Sequence, residues 1–203
     1  MFKIEKKVGF RQYKICCVGE PMIELSGLNE KMGLPCVNGA GDTLNTAVYL
    51  KRILGKYGDI SYLTVLGKDP LSIRIQDFIK GENINVGFVR VATGKNCGIY
   101  LIQNDQNGER TFHYWRENSA ARTLFQSEID FKCLESADII YLSGITLAIL
   151  SQKSRDKLIT WLGGRGQQKT ILFDINFRKN LWHNLDDARR LIKIAMKSAF
   201  KSY

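Results

Sequence analysis

The chain has 203 residues, of which 44 % are hydrophobic; this supports one sizeable core with a small appendage and excludes a mainly disordered protein. No apolar run is as long as a membrane span, and no apolar signal segment follows the charged residues 1–7, so we expect a cytoplasmic protein without a membrane partner. The net charge of +10 favours an anionic partner, either nucleic acid or an acidic small molecule, although a solvated basic surface gives the same balance.

Strands and helices alternate along most of the chain. A short apolar run at 14–19 predicts a buried first strand, a loosely alternating stretch covers 20–26, and 27–37 is rich in turn residues. Because strands that alternate with helices form right-handed crossovers, the pattern predicts a mostly parallel sheet whose ligand lies beyond the carboxyl ends of its strands. Further strands are predicted at 61–67, 137–144 and 170–174, and helices at about 42–54, 69–81, 127–135, 151–162 and 186–199.

The middle of the chain has a different character. Its runs at 84–91, 98–103 and 110–115 are rich in β-branched and aromatic residues, and the turn sequence at 104–108 separates the last two. Such a turn between two strand-like runs indicates a hairpin. We therefore expect a small sheet beside the main one.

Cysteine usage points to a reducing environment. The five cysteines are odd in number and contain no C-x-x-C pair, which favours buried reduced thiols over a zinc site. The neighbours Cys16 and Cys17 should face opposite sides of the first strand.

The glycine-rich turn before the helix at 42–54 is the first candidate site. Gly39 and Gly41 allow a tight turn or a close approach to a ligand, and the helix start presents free N–H groups to hydroxyls or negative charge. The alternative is an ordinary helix start capped by Asp42 or Thr43. The spacing matches neither the Walker loop nor the dinucleotide fingerprint.

Two arginines are the second candidate. Arg116 shares a strand face with Tyr114, an arrangement that suits a sugar acid because the ring packs on C–H groups while the guanidinium pairs with a carboxylate. A surface cation–π pair is the alternative. Arg178 follows a strand that ends near Asp174, and its alternative is a salt bridge that closes the turn. We expect no catalytic role for His113, and His183 has no evident partner.

Five segments in order resemble the ribokinase-like (PfkB) sugar kinases, and among them those that act on the sugar acid 2-keto-3-deoxygluconate. The resemblance covers about residues 15–196. The segments are 19–25 (GEPMIEL), 41–47 (GDTLNTA), 108–116 (GERTFHYWR), 141–150 (YLSGITLAIL) and 174–178 (DINFR).

The resemblance implies an α/β fold, with a mostly parallel sheet flanked by helices and a small β lid. The domain would span 14–203, with the lid contributed by about 20–38 and 84–116. The reaction would transfer the γ-phosphoryl of ATP, with Mg²⁺, to the 6-hydroxyl of the sugar acid. The substrate-binding residues implied by the resemblance are Gly41, Asp42, Asn45, Tyr100, Tyr114, Arg116 and Arg178.

The resemblance also implies limits. The family's nucleotide-binding half, with its second Gly-Ala-Gly-Asp motif and catalytic base, has no counterpart here, so we expect no catalytic residue and no metal ligand in this chain, and poor activity and solubility. Ala40 and Pro21 depart from the family pattern. The resemblance allows a homo-oligomer through the lid and implies no nucleic-acid partner. The alternatives are a non-catalytic sugar-acid-binding fragment and a basic nucleic-acid-binding protein.

Overall fold

The computed structural model describes residues 12–27, 35–105 and 107–199. Three sequence expectations lie wholly or partly outside these ranges: the N-terminal residues 1–7, the central part of the turn-rich stretch 27–37, and the end of the chain after Ala199. Gln106 of the hairpin turn is also outside them. The strands, numbered in chain order, are β1 (Tyr13–Val18), β2 (Met22–Ser26), β3 (Cys36–Ala40), β4 (Gly58–Leu66), β5 (Val89–Val91), β6 (Gly98–Asn104), β7 (Arg110–Trp115), β8 (Ile139–Ser143) and β9 (Thr170–Asp174).

The large sheet has five strands in the order β5-β4-β1-β8-β9. Every neighbouring pair in it is parallel, so all five carboxyl ends lie along one rim. This confirms the predicted α/β class with a parallel sheet.

The second sheet has four strands in the order β3-β2-β6-β7. β2 pairs with β3 antiparallel and with β6 parallel, and β6 and β7 form the predicted antiparallel hairpin. The Phe112 and Trp115 side chains of β7 are 45 % and 56 % exposed. β7 is therefore an open edge strand with aromatic side chains in contact with solvent.

Helices cover both faces of the large sheet, and each face has its own core. Along β1, Cys16 and Val18 belong to one buried cluster while Ile15 and Cys17 belong to the other, because successive side chains of a strand point to opposite faces. This confirms the opposite orientation predicted for the two cysteines. The helices are α1 (Asp42–Leu54), α2 (Pro70–Gly81), α3 (Ile129–Ser136), α4 (Gly144–Ile149), α5 (Gln152–Gly163) and α6 (Leu185–Ala199).

Three elements differ from the sequence expectation. Residues 36–40 form β3, because they pair with β2 along its whole length. α4 follows β8 directly, and its capping box at Ser143 and Thr146 starts it. In the stretch 84–91, expected in the lid, only Val89–Val91 is a strand, and it pairs with β4 in the large sheet.

The outer edge of the large sheet presents apolar side chains to solvent. Leu172 on β9 is 46 % exposed, and Ile175 and Phe177 just after it are each 44 % exposed. Apolar groups clustered in this way are typical of surfaces that another element covers. Separately, within the described ranges no helix has both the length and the apolar character needed to cross a membrane.

Candidate functional site

A cavity of about 410 Å³ lies where the rim of the large sheet meets the second sheet. We call it the rim cavity. Residues from the second sheet, from the starts of α1 and α4 and from the segment after β9 line it. Seven of its lining residues are those implied by the sequence: Gly41, Asp42, Asn45, Tyr100, Tyr114, Arg116 and Arg178. The other seven are Met22, Phe112, Glu117, Ile145, Asn176, Asn180 and Leu181.

Gly41 closes the turn between β3 and α1. Its φ is +147°, and a Cβ at this position would lie 2.6 Å from the carbonyl oxygen of Glu20, so both the conformation and the space require glycine. Neither Asp42 nor Thr43 caps the helix, since the N-cap is Gly41 and makes no side-chain hydrogen bond. The predicted capping alternative is therefore wrong, and the N–H groups of the first turn stay free of a side-chain cap at the cavity wall.

Asp42 connects three elements around the rim cavity. Its Oδ2 accepts a hydrogen bond from the Ser143 hydroxyl at 2.5 Å and from the Asn176 amide at 3.2 Å. The β8–α4 junction and the segment after β9 approach closely: a Cβ on Gly144 would lie only 2.1 Å from the carbonyl oxygen of Ile175. Asp42 thus fixes α1, the end of β8 and the segment after β9 relative to one another.

Aromatic rings form the wall that the second sheet contributes. The centroid of the Tyr100 ring lies 5.7 Å from that of Tyr114 and 6.3 Å from that of Phe112. The Tyr100 hydroxyl donates to the Glu24 carboxylate. Burial, and then the adjacent Glu24, raise the pKa of Tyr100 well above its usual range. Tyr100 is therefore a fixed neutral donor, whereas Tyr114 is 47 % exposed and presents its ring to the cavity.

Arg116 is buried and already paired. Its guanidinium donates through Nη2 to the Glu20 carboxylate, and the two side chains are only 7 % and 1 % exposed. The guanidinium carbon also lies 5.9 Å from the centroid of the Tyr114 ring, so the predicted cation–π contact exists but its arginine is not on the surface. Within the described ranges, Nε of Arg116 and Oε1 of Glu20 have no hydrogen-bond partner. One donor of the guanidinium fork is thus unused.

Glu20 was missed as a site residue by the sequence reasoning. Its place on the rim followed from the end of β1, but its pairing with Arg116 joins residues 96 positions apart in the chain. Gly98 makes room for the pair, because a Cβ there would lie 2.7 Å from Oε1 of Glu20. The available signal was an acidic residue directly after a buried strand, opposite a basic one that ends the hairpin.

Arg178 differs from Arg116 in its exposure and in its partners. It is exposed, lines the rim cavity, and makes no side-chain hydrogen bond or ion pair with any residue that the structure describes. The predicted alternative, a salt bridge closing the turn, is therefore absent from the described part of the chain. Asn176, two residues earlier, has a positive φ of 24°, a strained conformation that its bond to Asp42 helps to hold.

The geometry defines a class of protein: an α/β fold with a polar cavity at the rim of a parallel sheet, covered on one side by a small aromatic-lined sheet. Solved sugar kinases share this fold. A sugar kinase from Pyrococcus horikoshii superposes with a TM-score of 0.77 at 22 % identity, covering 92 % of this chain and 60 % of its own. The 2-dehydro-3-deoxygluconokinase from Thermotoga maritima gives 0.75 at 22 % identity, covering 92 % and 57 %.

The model of the pfkB family carbohydrate kinases matches residues 12–196, and the chain belongs to this family. It is 40 % identical over 185 residues to the 2-dehydro-3-deoxygluconokinase of Escherichia coli K12, covering 88 % of this chain and 58 % of the relative. The enzyme of that name from Haemophilus influenzae is 40 % identical over 181 residues, covering 87 % and 57 %. The chain thus spans under two thirds of the length of these relatives.

Proposed function

We propose that the rim cavity binds the sugar acid 2-keto-3-deoxygluconate, and that the chain is the sugar-binding part of a kinase for this substrate. The proposal rests on one cavity that combines the uncapped helix start at Gly41, the aromatic rings of Tyr100 and Tyr114, and the guanidinium of Arg178. This guanidinium has no partner among the residues that the structure describes. Hydroxyl groups suit the first, the C–H faces of a sugar suit the second, and a carboxylate suits the third. The names of the 40 % identical relatives support the same substrate.

In this proposal the two arginines have different tasks. Arg178 pairs with the carboxylate, since its guanidinium has no partner in the described part of the chain. Arg116 contributes its unused Nε–H and orients Tyr114, while Glu20 balances its charge. Asp42 and Asn45 lie at the hydroxyls, and the Asp42 carboxylate, held by Ser143 and Asn176, is a fixed acceptor.

The proposed reaction moves the γ-phosphoryl of ATP onto the 6-hydroxyl. One of the solved P. horikoshii sugar kinase structures contains ATP, and in phosphoryl transfer a positioned base accepts the hydroxyl proton. At phosphoryl-transfer sites Mg²⁺ is usually held by one or two carboxylates together with the substrate phosphates. We propose no residue of this chain as a metal ligand or as the catalytic base.

A non-catalytic sugar-acid-binding protein is the second candidate, because the residues that line the rim cavity account for contacts with a sugar acid alone. Titration calorimetry with 2-keto-3-deoxygluconate, followed by an ADP-release assay, separates the candidates. Binding with turnover supports the kinase, and binding without turnover supports the non-catalytic protein. Absence of binding, together with salt-sensitive binding of an oligonucleotide, would contradict both and support the nucleic-acid alternative.

We also propose that copies of the chain associate through the second sheet. The open edge strand β7 and its exposed aromatic residues Phe112 and Trp115 support this arrangement. Sedimentation of the wild type and of Trp115→Lys tests it, and an unchanged oligomeric state in the variant would contradict it.

A further inference from the structure

A second cavity of about 280 Å³ lies next to the rim cavity and shares only Leu181 with it. It is bounded by the end of α4, the first residues of α5, the segment around Trp182 and the first turn of α6. Arg122 and Arg155 both line it. No role in the proposed reaction uses this cavity.

Two buried N–H groups belong to residues that line this cavity. Nε1 of Trp182 and Nε of Arg155 are enclosed, and neither has a hydrogen-bond partner among the residues that the structure describes. Trp182 itself is only 8 % exposed. Because a buried N–H without an acceptor destabilises a fold, such groups call for an acceptor from elsewhere.

The guanidinium of Arg155 is held rigidly beside the indole. Its carbon lies 5.2 Å from the Trp182 ring centroid, and Nη2 donates to the carbonyl oxygen of Leu150 at 2.9 Å. The pKa of Arg155 is lowered, first by burial and also by the positive charges of Arg122 and Arg190, against the opposing effect of Asp187 and Asp156. A bound anion would offset both the burial and the repulsion.

The surrounding acids are already engaged. Asp187 lines the cavity but accepts from Arg190 at 3.1 Å, and Asp156 accepts from Gln152 at 3.3 Å. Arg122 makes no ion pair within the described ranges. At the start of α5, where Ser151 and Gln152 line the cavity, the Ser151 hydroxyl already accepts from the Ser154 N–H at 3.3 Å. The earlier first-turn N–H groups and the positive end of the helix dipole remain for a ligand.

We propose that the second cavity binds the phosphate group of a small phosphate monoester. The side chains of Arg122, Arg155 and Trp182 line this cavity together with the start of α5, so two guanidinium groups, an indole and a helix N-terminus border the same space. A tetrahedral oxyanion can accept hydrogen bonds from several such donors at once. The volume of about 280 Å³ leaves room for a small organic body as well. Free phosphate shares this chemistry, so the test compares the two sources.

The experiment titrates the whole chain with inorganic phosphate, with a three-carbon phosphate monoester and with succinate, and follows tryptophan fluorescence and binding heat. Trp182→Phe keeps the ring and removes the N–H, and we expect it to weaken phosphate binding by about tenfold, as for one hydrogen bond to a charged group. We expect at least the same loss for Arg155→Gln. Should Arg155→Gln fail to fold, the partly exposed Arg122→Gln replaces it.

Two matched variants give the assignment its controls. Arg165→Gln removes an exposed guanidinium from the same helical region and should leave phosphate binding unchanged, and so should Arg178→Ala in the rim cavity. Tighter binding of the monoester than of free phosphate supports the proposed monoester site. Equal binding of the two identifies free phosphate as the ligand and overturns the proposal of a monoester. Unchanged affinity in Trp182→Phe, a loss confined to Arg178→Ala, or succinate binding as tightly as phosphate would overturn the proposal.

Discussion

The two walls of the rim cavity use arginine in opposite ways. On the side of the second sheet, Arg116 is buried and its charge is matched by Glu20, just as the Tyr100 hydroxyl is matched by Glu24. On the side of β9, Arg178 is exposed and has no partner among the described residues. A buried guanidinium that is paired with a carboxylate contributes mainly to the shape of the site. An exposed guanidinium without such a partner can direct all its N–H donors to a ligand. The following changes should separate these roles.

The largest effect is expected for Arg116→Ala. It leaves the carboxylate of Glu20 buried without its partner, and breaking a buried pair in this way costs about 3–5 kcal/mol of unfolding free energy. Denaturant unfolding measures the loss. Arg165→Ala, which removes the exposed partner of Glu135, is the control and should cost at most about 1 kcal/mol. Equal losses of unfolding free energy in the two variants would show that the Arg116–Glu20 pair contributes no more than an exposed ion pair.

Arg178→Ala should act on binding rather than on folding. We expect the affinity for the sugar acid to fall by about 1.5–3 kcal/mol, the range for hydrogen bonds to charged groups. The unfolding free energy should change by no more than about 0.5 kcal/mol, as for an exposed residue. Arg178→Lys should recover only part of the affinity, because an ammonium group cannot form the planar fork. Full recovery of the affinity with lysine would argue against a contact in which the guanidinium makes two hydrogen bonds to the carboxylate.

Asp42→Asn tests the connection between the elements at the rim. The amide keeps one acceptor but loses the charge that strengthens the bonds from Ser143 and Asn176, so we expect a loss of about 1 kcal/mol in unfolding free energy. Asn45→Ala, on the exposed side of the same helix, serves as its control for stability. A variant as stable as the wild type would mean that Asp42 does not hold the three elements together.

The smallest effect concerns the pH dependence of Tyr100. Its pKa is raised in the folded protein, so its contribution to stability is fully present below the unfolded pKa of about 10 and is lost as the pH rises through the folded value. The stability difference between wild type and Tyr100→Phe should therefore shift against the wild type only above about pH 10. A difference that already changes near neutral pH would contradict the cause assigned to this shift.

The sequence predicted helix starts, helix bounds and the hairpin, because neighbouring residues determine these features. The helix predicted at about 151–162 begins after a Ser151 cap, α1 spans the predicted 42–54, and β6 pairs with β7 as the turn residues between them predicted. These signals depend on residues a few positions apart, so they are readable from the sequence. The same reasoning missed α4, because that helix follows β8 without an intervening loop.

The missed features depend on partners far away in the chain. β3 is a strand because β2 lies beside it, and Val89–Val91 joins the large sheet because it pairs with β4. At the rim cavity the residue types were foreseeable, but whether each arginine is free or paired depends on tertiary contacts such as that of Glu20 with Arg116. No periodicity in the sequence encodes that difference.

The most direct test compares 2-keto-3-deoxygluconate with the matching sugar in which the carboxylate is replaced by an uncharged group. Titration calorimetry on the wild type should show the acid binding about ten- to a hundredfold more tightly, as expected for a charged hydrogen-bonded contact. In Arg178→Ala this preference should fall close to one while the uncharged sugar still binds. A preference of the same size in the variant would contradict the assignment of Arg178 as the carboxylate-binding residue of the rim cavity.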